Sequence, residues 1–216
     1  MSGLFNLENK FFRTLSKLVD CCALSILWAI SCIPLFTVGA ATSGLYYAIN
    51  KVIMHNRSYV WTEYWHGFRT NFKQATAAWL IIAAIAALFG EDIYIMRQFA
   101  ESGETIGSIF PAFYVLLALL AIWANYIFAY IARFEDKLKR IFRNTAVMAI
   151  GHLIWSVVIL LLFAFACFLV YLLPELIVII PAGYMICVNE TLERIFQKYM
   201  SQEDREAEEE RNREYQ

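Results

Sequence analysis

The charged residues of this chain are confined to short stretches between long apolar segments. Five apolar runs carry almost no charge, and they lie near 18–36, 76–90, 109–132, 144–173 and 176–188. The hydrocarbon core of a bilayer is about 30 Å thick and takes roughly 20 helical residues to cross. A helix is favoured there because it satisfies its backbone hydrogen bonds internally. The sequence therefore predicts an all-α, polytopic membrane helix bundle.

The composition supports this class and excludes others. Of 216 residues, 60% are hydrophobic and 17% are charged, which leaves too little polar surface for a soluble domain. The net charge of −1 offers no basic excess, so no nucleic-acid partner is expected. No cofactor or metal is expected either, because the cysteines lie in apolar runs without a Cys-x-x-Cys pair and are interpreted as reduced small hydrophobes. They are Cys21, Cys22, Cys32, Cys167 and Cys187.

The basic residues predict the orientation. Lysine and arginine concentrate on the cytoplasmic side of membrane proteins, and an arrangement of six helices with both termini cytoplasmic places 17 of the 18 there. A re-entrant first hairpin would keep the same sidedness and stays open as an alternative. Residues 1–200 are expected to form one integral membrane domain and 201–216 a charged cytoplasmic tail. The expected helices span about 15–36, 38–55, 75–97, 108–133, 143–173 and 175–198.

Short amphipathic helices are expected on the cytoplasmic side. In the segment 61–73, aromatic residues recur at i, i+3, i+4, i+7 and i+11, which is a helical period. They are Trp61, Tyr64, Trp65, Phe68 and Phe72. This face either lies among membrane lipid headgroups or docks a partner protein, and the sequence does not separate the two. Shorter stripes of the same kind occur at Leu4, Leu7, Phe11, Leu15 and Leu18, and at Phe134, Leu138 and Ile141.

The first hairpin contains a motif with a structural interpretation. Pro34 lacks an amide donor and Gly39 tolerates unusual backbone angles, so together they favour a tight turn. Thr37 is a candidate cap for the following helix. Ala40, Gly44 and Ala48 recur every four residues and predict a smooth face for close helix packing. A ligand site that uses Thr37 and the free amides of the second helix is the alternative.

Two segments of the sequence resemble the YesL-like family of bacterial membrane proteins. They read Ile33-Pro34-Leu35-Phe36-Thr37-Val38-Gly39-Ala40-Ala41 and Asn71-Phe72-Lys73-Gln74-Ala75-Thr76. The chain departs from the family at Ser25, where the resemblance implies an asparagine. The resemblance implies a multi-pass protein of the bacterial cytoplasmic membrane without an assigned activity, associated with carbohydrate uptake. Membrane lipid and subunits of a carbohydrate ABC importer are then the expected partners.

The residues bear on three possible functions. A non-catalytic accessory protein of carbohydrate import is the first, because the chain has neither the Glu-Ala-Ala coupling signature of an importer permease nor a nucleotide-binding loop. A self-contained small-molecule carrier is the alternative, since carriers place polar groups and broken helices inside the membrane. Its candidate polar residues are Asn125 and His152, with Pro181 and Gly183 interrupting the last helix. An enzyme is not expected, because neither a His-Glu-x-x-His nor a Gly-x-Ser-x-Gly motif occurs.

Overall fold

The computed structural model describes residues 10–55 and 59–200, and side chains from residue 14 onward. In these ranges the chain is helical and has no strand. Four predicted features fall wholly or partly outside them: residues 1–9 with Leu4 and Leu7, the side chain of Phe11, the loop 56–58, and the tail 201–216. The helices are α1 (Lys10–Ser31), α2 (Val38–Ala48), α3 (Val60–Glu101), α4 (Phe110–Arg133), α5 (Leu138–Gly151), α6 (Leu153–Leu172) and α7 (Ile180–Tyr199).

Four of these helices are long and apolar enough to cross a membrane by length and composition. They contribute the segments Thr14–Ser31, Val60–Glu101, Thr105–Arg133 and Leu153–Leu172. The molecule is therefore a helical membrane protein. The second and last helices of the expected six are α2, which continues as the π-helical segment Ile49–Met54, and α7, which carries charged residues in its second half.

A 3₁₀ turn, Leu35–Thr37, connects α1 to α2. Thr37 occupies the N-cap position of α2, but its hydroxyl makes no capping bond there. The Thr37 Oγ1 atom lies 2.5 Å from the Ser31 carbonyl and 2.6 Å from the Pro34 carbonyl. The expected cap is thus replaced by a hydrogen bond to the Ser31 carbonyl at the end of α1, where carbonyl groups need partners as much as the amides of α2 do.

Helices α2 and α3 pack at close range through glycines. Gly44 lies against the backbone of Phe68, where an added Cβ would come within 3.2 Å of the Phe68 Cα, and Gly67 lies against the ring of Tyr47. Ala40 and Ala48 on the same face of α2 are fully buried. Small residues allow two helix backbones to approach closely, so α2 presents a smooth surface to α3.

The segment 61–73 is not a separate helix. It forms the first part of α3, which has 42 residues and is therefore about 63 Å long at 1.5 Å per residue. A helix of that length exceeds the bilayer core about twofold. The amphipathic and apolar segments join because no helix breaker separates them; Gly67 is accommodated inside the helix by its contact with Tyr47.

The expected helix 143–173 is divided into two. His152 has φ −126° and ψ 48°, which is not helical, and it separates α5 from α6. The division follows the chemistry of the sequence: α5 carries Lys139, Arg140 and Arg143, whereas α6 has no charged residue. A single straight helix would have to bring both segments into the same environment.

The start of α7 is capped by a side chain from α1. Ile179, at the N-cap position, makes no side-chain cap. Instead, the Ala182 amide donates to Ser25 Oγ at 3.1 Å, and Ser25 is fully buried. The residue at which the chain departs from the resemblance therefore has a polar role that an asparagine oxygen could also fill.

Candidate functional site

The two predicted intramembrane polar residues lie in different places. Asn125, in the middle of α4, accepts a hydrogen bond from the Tyr184 hydroxyl at 2.7 Å and donates to the Ala121 carbonyl at 2.9 Å. His152 lies at the junction of α5 and α6, with its ring 5.9 Å from that of Tyr199. The structure therefore does not bring Asn125 and His152 into one site.

Asn125 lies at the wall of a large cavity. The cavity has a volume of about 760 Å³ and is lined by residues of all the long helices except α5. Pro181, at the start of α7, also lines it. The volume is within the range of about 300–1,000 Å³ that is usual for small-molecule sites.

The lining of this cavity is apolar. Among the described residues that form it, none is charged, and most are alanine, leucine, isoleucine, valine or aromatic residues. Thr42 is occupied, because its hydroxyl donates to the Val38 carbonyl and accepts from the Trp28 indole. The Trp79 indole is also occupied, since it donates to the Leu35 carbonyl at 2.7 Å. Asn125 and Tyr184 are therefore the main polar feature of the cavity wall.

A second polar site, with charges, joins α2, α4 and α7. The Arg133 Nε and Glu193 Oε2 atoms are 3.2 Å apart, and both side chains are 14% exposed. This contact is ionic, because the Nε–H is not aligned for a hydrogen bond. Glu193 Oε1 accepts hydrogen bonds from the Tyr46 hydroxyl and the Asn50 amide, both at 3.0 Å. We call Arg133, Glu193, Tyr46 and Asn50 the buried ionic cluster.

Two further features lie next to this cluster. Asn50 belongs to the π-helical segment Ile49–Met54, and such segments are frequent at functional sites. The Lys17 ammonium group donates to the Ile53 carbonyl at 3.0 Å at the end of that segment. One turn before Glu193, the amide of Asn189 is fully buried and makes no hydrogen bond within the described part of the chain.

Sequence reasoning missed the buried ionic cluster. Its carboxylate belongs to Glu193, three residues after Glu190, which is exposed and pairs with Arg194. A signal was present: Asn189 and Glu193 are four residues apart, and so share the helix face that carries Met185 and Leu192. Tyr46, on α2, and Asn50, in the π-helical segment that continues it, are likewise four residues apart.

The aromatic face of 61–73 is largely used within the molecule. Tyr64 is fully buried, whereas Trp65, Phe68 and Phe72 are half-buried and pack against the core. Trp61 is 63% exposed. Of the five candidate docking or interfacial residues, Trp61 therefore offers the largest free surface.

In residues 10–55 and 59–200, no three His, Cys, Asp or Glu side chains are grouped to hold a metal ion. All five cysteines are free; Cys21 is buried, whereas Cys167 and Cys187 are exposed on the protein surface.

Comparison with known families finds a match to part of the chain. A family model described as "Protein of unknown function, DUF624" matches residues 21–93. The YesL-like proteins that the hairpin resembles fall under this description. No curated protein matches the chain, and no solved structure does. The class is therefore a helical membrane protein with a domain of unknown function.

Proposed function

We propose that the protein is a non-catalytic accessory component of carbohydrate import in a bacterial cytoplasmic membrane, with six crossings and both termini in the cytoplasm. The orientation is supported by the distribution of lysine and arginine. The association with carbohydrate import rests on the resemblance of the first hairpin to the YesL-like family.

The main observation in favour of an accessory role is that the lining of the large cavity does not suit a sugar. A sugar presents many hydroxyl groups, and each hydroxyl that enters an apolar site without a hydrogen bond costs about 1–3 kcal/mol. The cavity offers Asn125 and Tyr184 as its main polar partners. A sugar would leave most of its hydroxyl groups unsatisfied there, so the sugar path is assigned to a partner protein.

The exposed part of the aromatic face is the proposed contact for that partner. Trp61 projects from the beginning of α3 next to Tyr59, which is 82% exposed. Its ring also contacts that of Trp65 edge-on, with the ring centroids 5.9 Å apart. Rigid, exposed aromatic residues are the typical anchors of protein interfaces.

The test is recovery of partners from the native membrane. The tagged protein, at endogenous expression, is extracted in mild detergent, and the co-purifying proteins are identified by mass spectrometry. We expect permease subunits of a carbohydrate importer in stoichiometric amounts, and their loss with Trp61→Ala but not with the control Thr70→Ala, an exposed position on the same helix. Recovery of the protein alone would contradict the accessory role.

A self-contained carrier is the second candidate. The cavity itself favours it, because its volume suits a small molecule and Asn125 lies at its wall. The predicted interruption of the last helix is not found, since Pro181 lies at the start of α7 and Gly183 lies within it. The apolar lining implies that such a carrier would move an apolar compound. Uptake of that compound into proteoliposomes containing the purified protein alone would support this function over the first.

A further inference from the structure

The cavity of about 760 Å³ has a wall chemistry that defines its ligand. We propose that it binds an uncharged lipid from the bilayer, with a long hydrocarbon portion and a single hydroxyl or ester group. This inference goes beyond the proposed function, because neither an accessory role nor a carrier role requires a bound lipid.

The hydrocarbon portion is indicated by the walls. Ile82 and Ala86 of α3, Leu117 and Leu120 of α4, and Val170 of α6 line the cavity. Burying apolar ligand surface against such side chains is favourable by roughly 25 cal/mol per Å² relative to water. Water would find few hydrogen-bond partners along these walls.

The single polar group is indicated by Asn125 and Tyr184. The Asn125 amide group has two hydrogens, and one of them is used on the Ala121 carbonyl. The Tyr184 hydroxyl donates to Asn125 Oδ1, which leaves the lone pairs of the tyrosine oxygen free to accept. One donor and one acceptor therefore remain side by side, which matches a hydroxyl group or an ester carbonyl.

A charged headgroup does not fit inside. The described lining has no lysine, arginine, histidine, aspartate or glutamate to pair with it, and an unpaired charge within a membrane costs several kcal/mol. The ligand is therefore uncharged at its buried end.

The lipid bilayer is the source because the cavity opens toward α6. Phe163, Cys167 and Tyr171 line the cavity and are also exposed on the surface, Tyr171 by 86%. Helix α6 is the most apolar of the four candidate spans. A molecule that reaches the opening from this side comes from the hydrocarbon phase.

The experiment uses two photoreactive probes with the same chain. The purified full-length protein is reconstituted in nanodiscs with a diazirine-bearing long-chain alcohol or the corresponding carboxylate, irradiated, and mapped by mass spectrometry. We expect the alcohol to label lining peptides of α4, α6 and α7, and the carboxylate to label them severalfold less. Equal labelling by both probes would overturn the assignment of an uncharged ligand.

Two matched variants on α6 test the cavity itself. Ala166 lines the cavity, whereas Ala164, two residues away, is exposed and absent from the lining. Ala166→Phe is expected to abolish cavity labelling and Ala164→Phe to preserve it. Equal labelling of the two variants would overturn the proposal, because it would indicate unspecific partition into the lipid phase.

Two further variants, at Asn125 and at Ala121, test the polar group and the α4 side of the cavity. Asn125→Leu is expected to weaken competition by unlabelled alcohol about fivefold, the equivalent of one hydrogen bond, and unchanged competition would overturn its role. Ala121→Phe fills the cavity from α4 and serves if Ala166→Phe fails to fold, as judged by gel filtration and circular dichroism.

Discussion

The buried ionic cluster leads to a sharp prediction about stability. Glu193 on α7 holds three groups from two other helices: the Arg133 guanidinium and the hydrogen-bond donors of Tyr46 and Asn50. Glu193→Ala removes the hydrogen bonds of Tyr46 and Asn50 to the carboxylate and the ion pair with Arg133. Loss of one member of a buried ion pair costs about 3–5 kcal/mol.

The magnitude can be refined from exposure. Both charged side chains are 14% exposed, so water reaches the remaining arginine and moves the cost toward the lower end of that range. Tyr46 and Asn50 are 1% and 5% exposed, and each buried donor that loses its partner adds to the cost. We therefore expect Glu193→Ala to lower the free energy of unfolding by about 3–4 kcal/mol.

The same helix supplies the control. Glu190 pairs with Arg194 at 2.7 Å, but these side chains are 57% and 64% exposed. Exposed pairs at this spacing contribute about 0.3–0.5 kcal/mol, so Glu190→Ala should have almost no effect. Both variants remove one glutamate from α7, which makes their effects on helix propensity and net charge equal.

The assay is reversible unfolding of the purified protein in mixed micelles, with tryptophan fluorescence as the signal. A third variant, Arg133→Met with Glu193→Leu, replaces the pair by apolar side chains and should recover part of the stability, since no unpaired charge remains. If Glu193→Ala and Glu190→Ala were equally stable, the reasoning about burial would be refuted.

Three further outcomes are expected. Gly39→Ala should destabilise the protein by about 1–3 kcal/mol in the same unfolding assay, because the added Cβ would overlap the Ala75 carbonyl and approach the Trp79 Cβ at 2.7 Å; Gly90→Ala, with no atom within 4 Å of its Cβ, should not, and equal losses would contradict the packing argument. Ser25→Ala should cost about 0.5–2 kcal/mol through loss of the α7 cap, and Ser25→Asn should restore most of it; failure of asparagine to do so would exclude capping. In a cysteine-free background, a cysteine at Ser102 should react with an impermeant maleimide on intact cells and one at Lys139 should not, and the reverse pattern would overturn the proposed orientation.

The class of fold could be predicted from the sequence because a segment that crosses the lipid bilayer must satisfy its backbone hydrogen bonds internally. The long apolar runs had to become helices, and four of the helices meet the length and hydropathy of a membrane span. Pro34 also marked the first turn, where the structure has the 3₁₀ segment Leu35–Thr37. These features depend on neighbouring residues alone. Gly39, by contrast, lies inside α2 and has no positive φ, so its predicted role in the turn is wrong.

The partners of each face were not accessible from periodicity. The aromatic period of 61–73 predicts one apolar face, but a face against lipid and a face against another helix have the same period. The structure buries Tyr64 fully and packs Phe68 against Gly44, so tertiary contact accounts for most of that face. The burial of Glu193 rather than Glu190 could not be predicted for the same reason, because it depends on how α7 is rotated relative to α2 and α4.

Four side-chain hydrogen bonds join the segment that matches the family to the rest of the chain. Within residues 21–93, Ser25 accepts from Ala182, Ser43 donates to the Phe128 carbonyl, and Tyr46 and Asn50 donate to Glu193. The three partner residues of these four hydrogen bonds lie on α4 or α7, and buried polar groups without partners are costly. The matched segment is therefore one side of a shared core, and α4 and α7 form the other side.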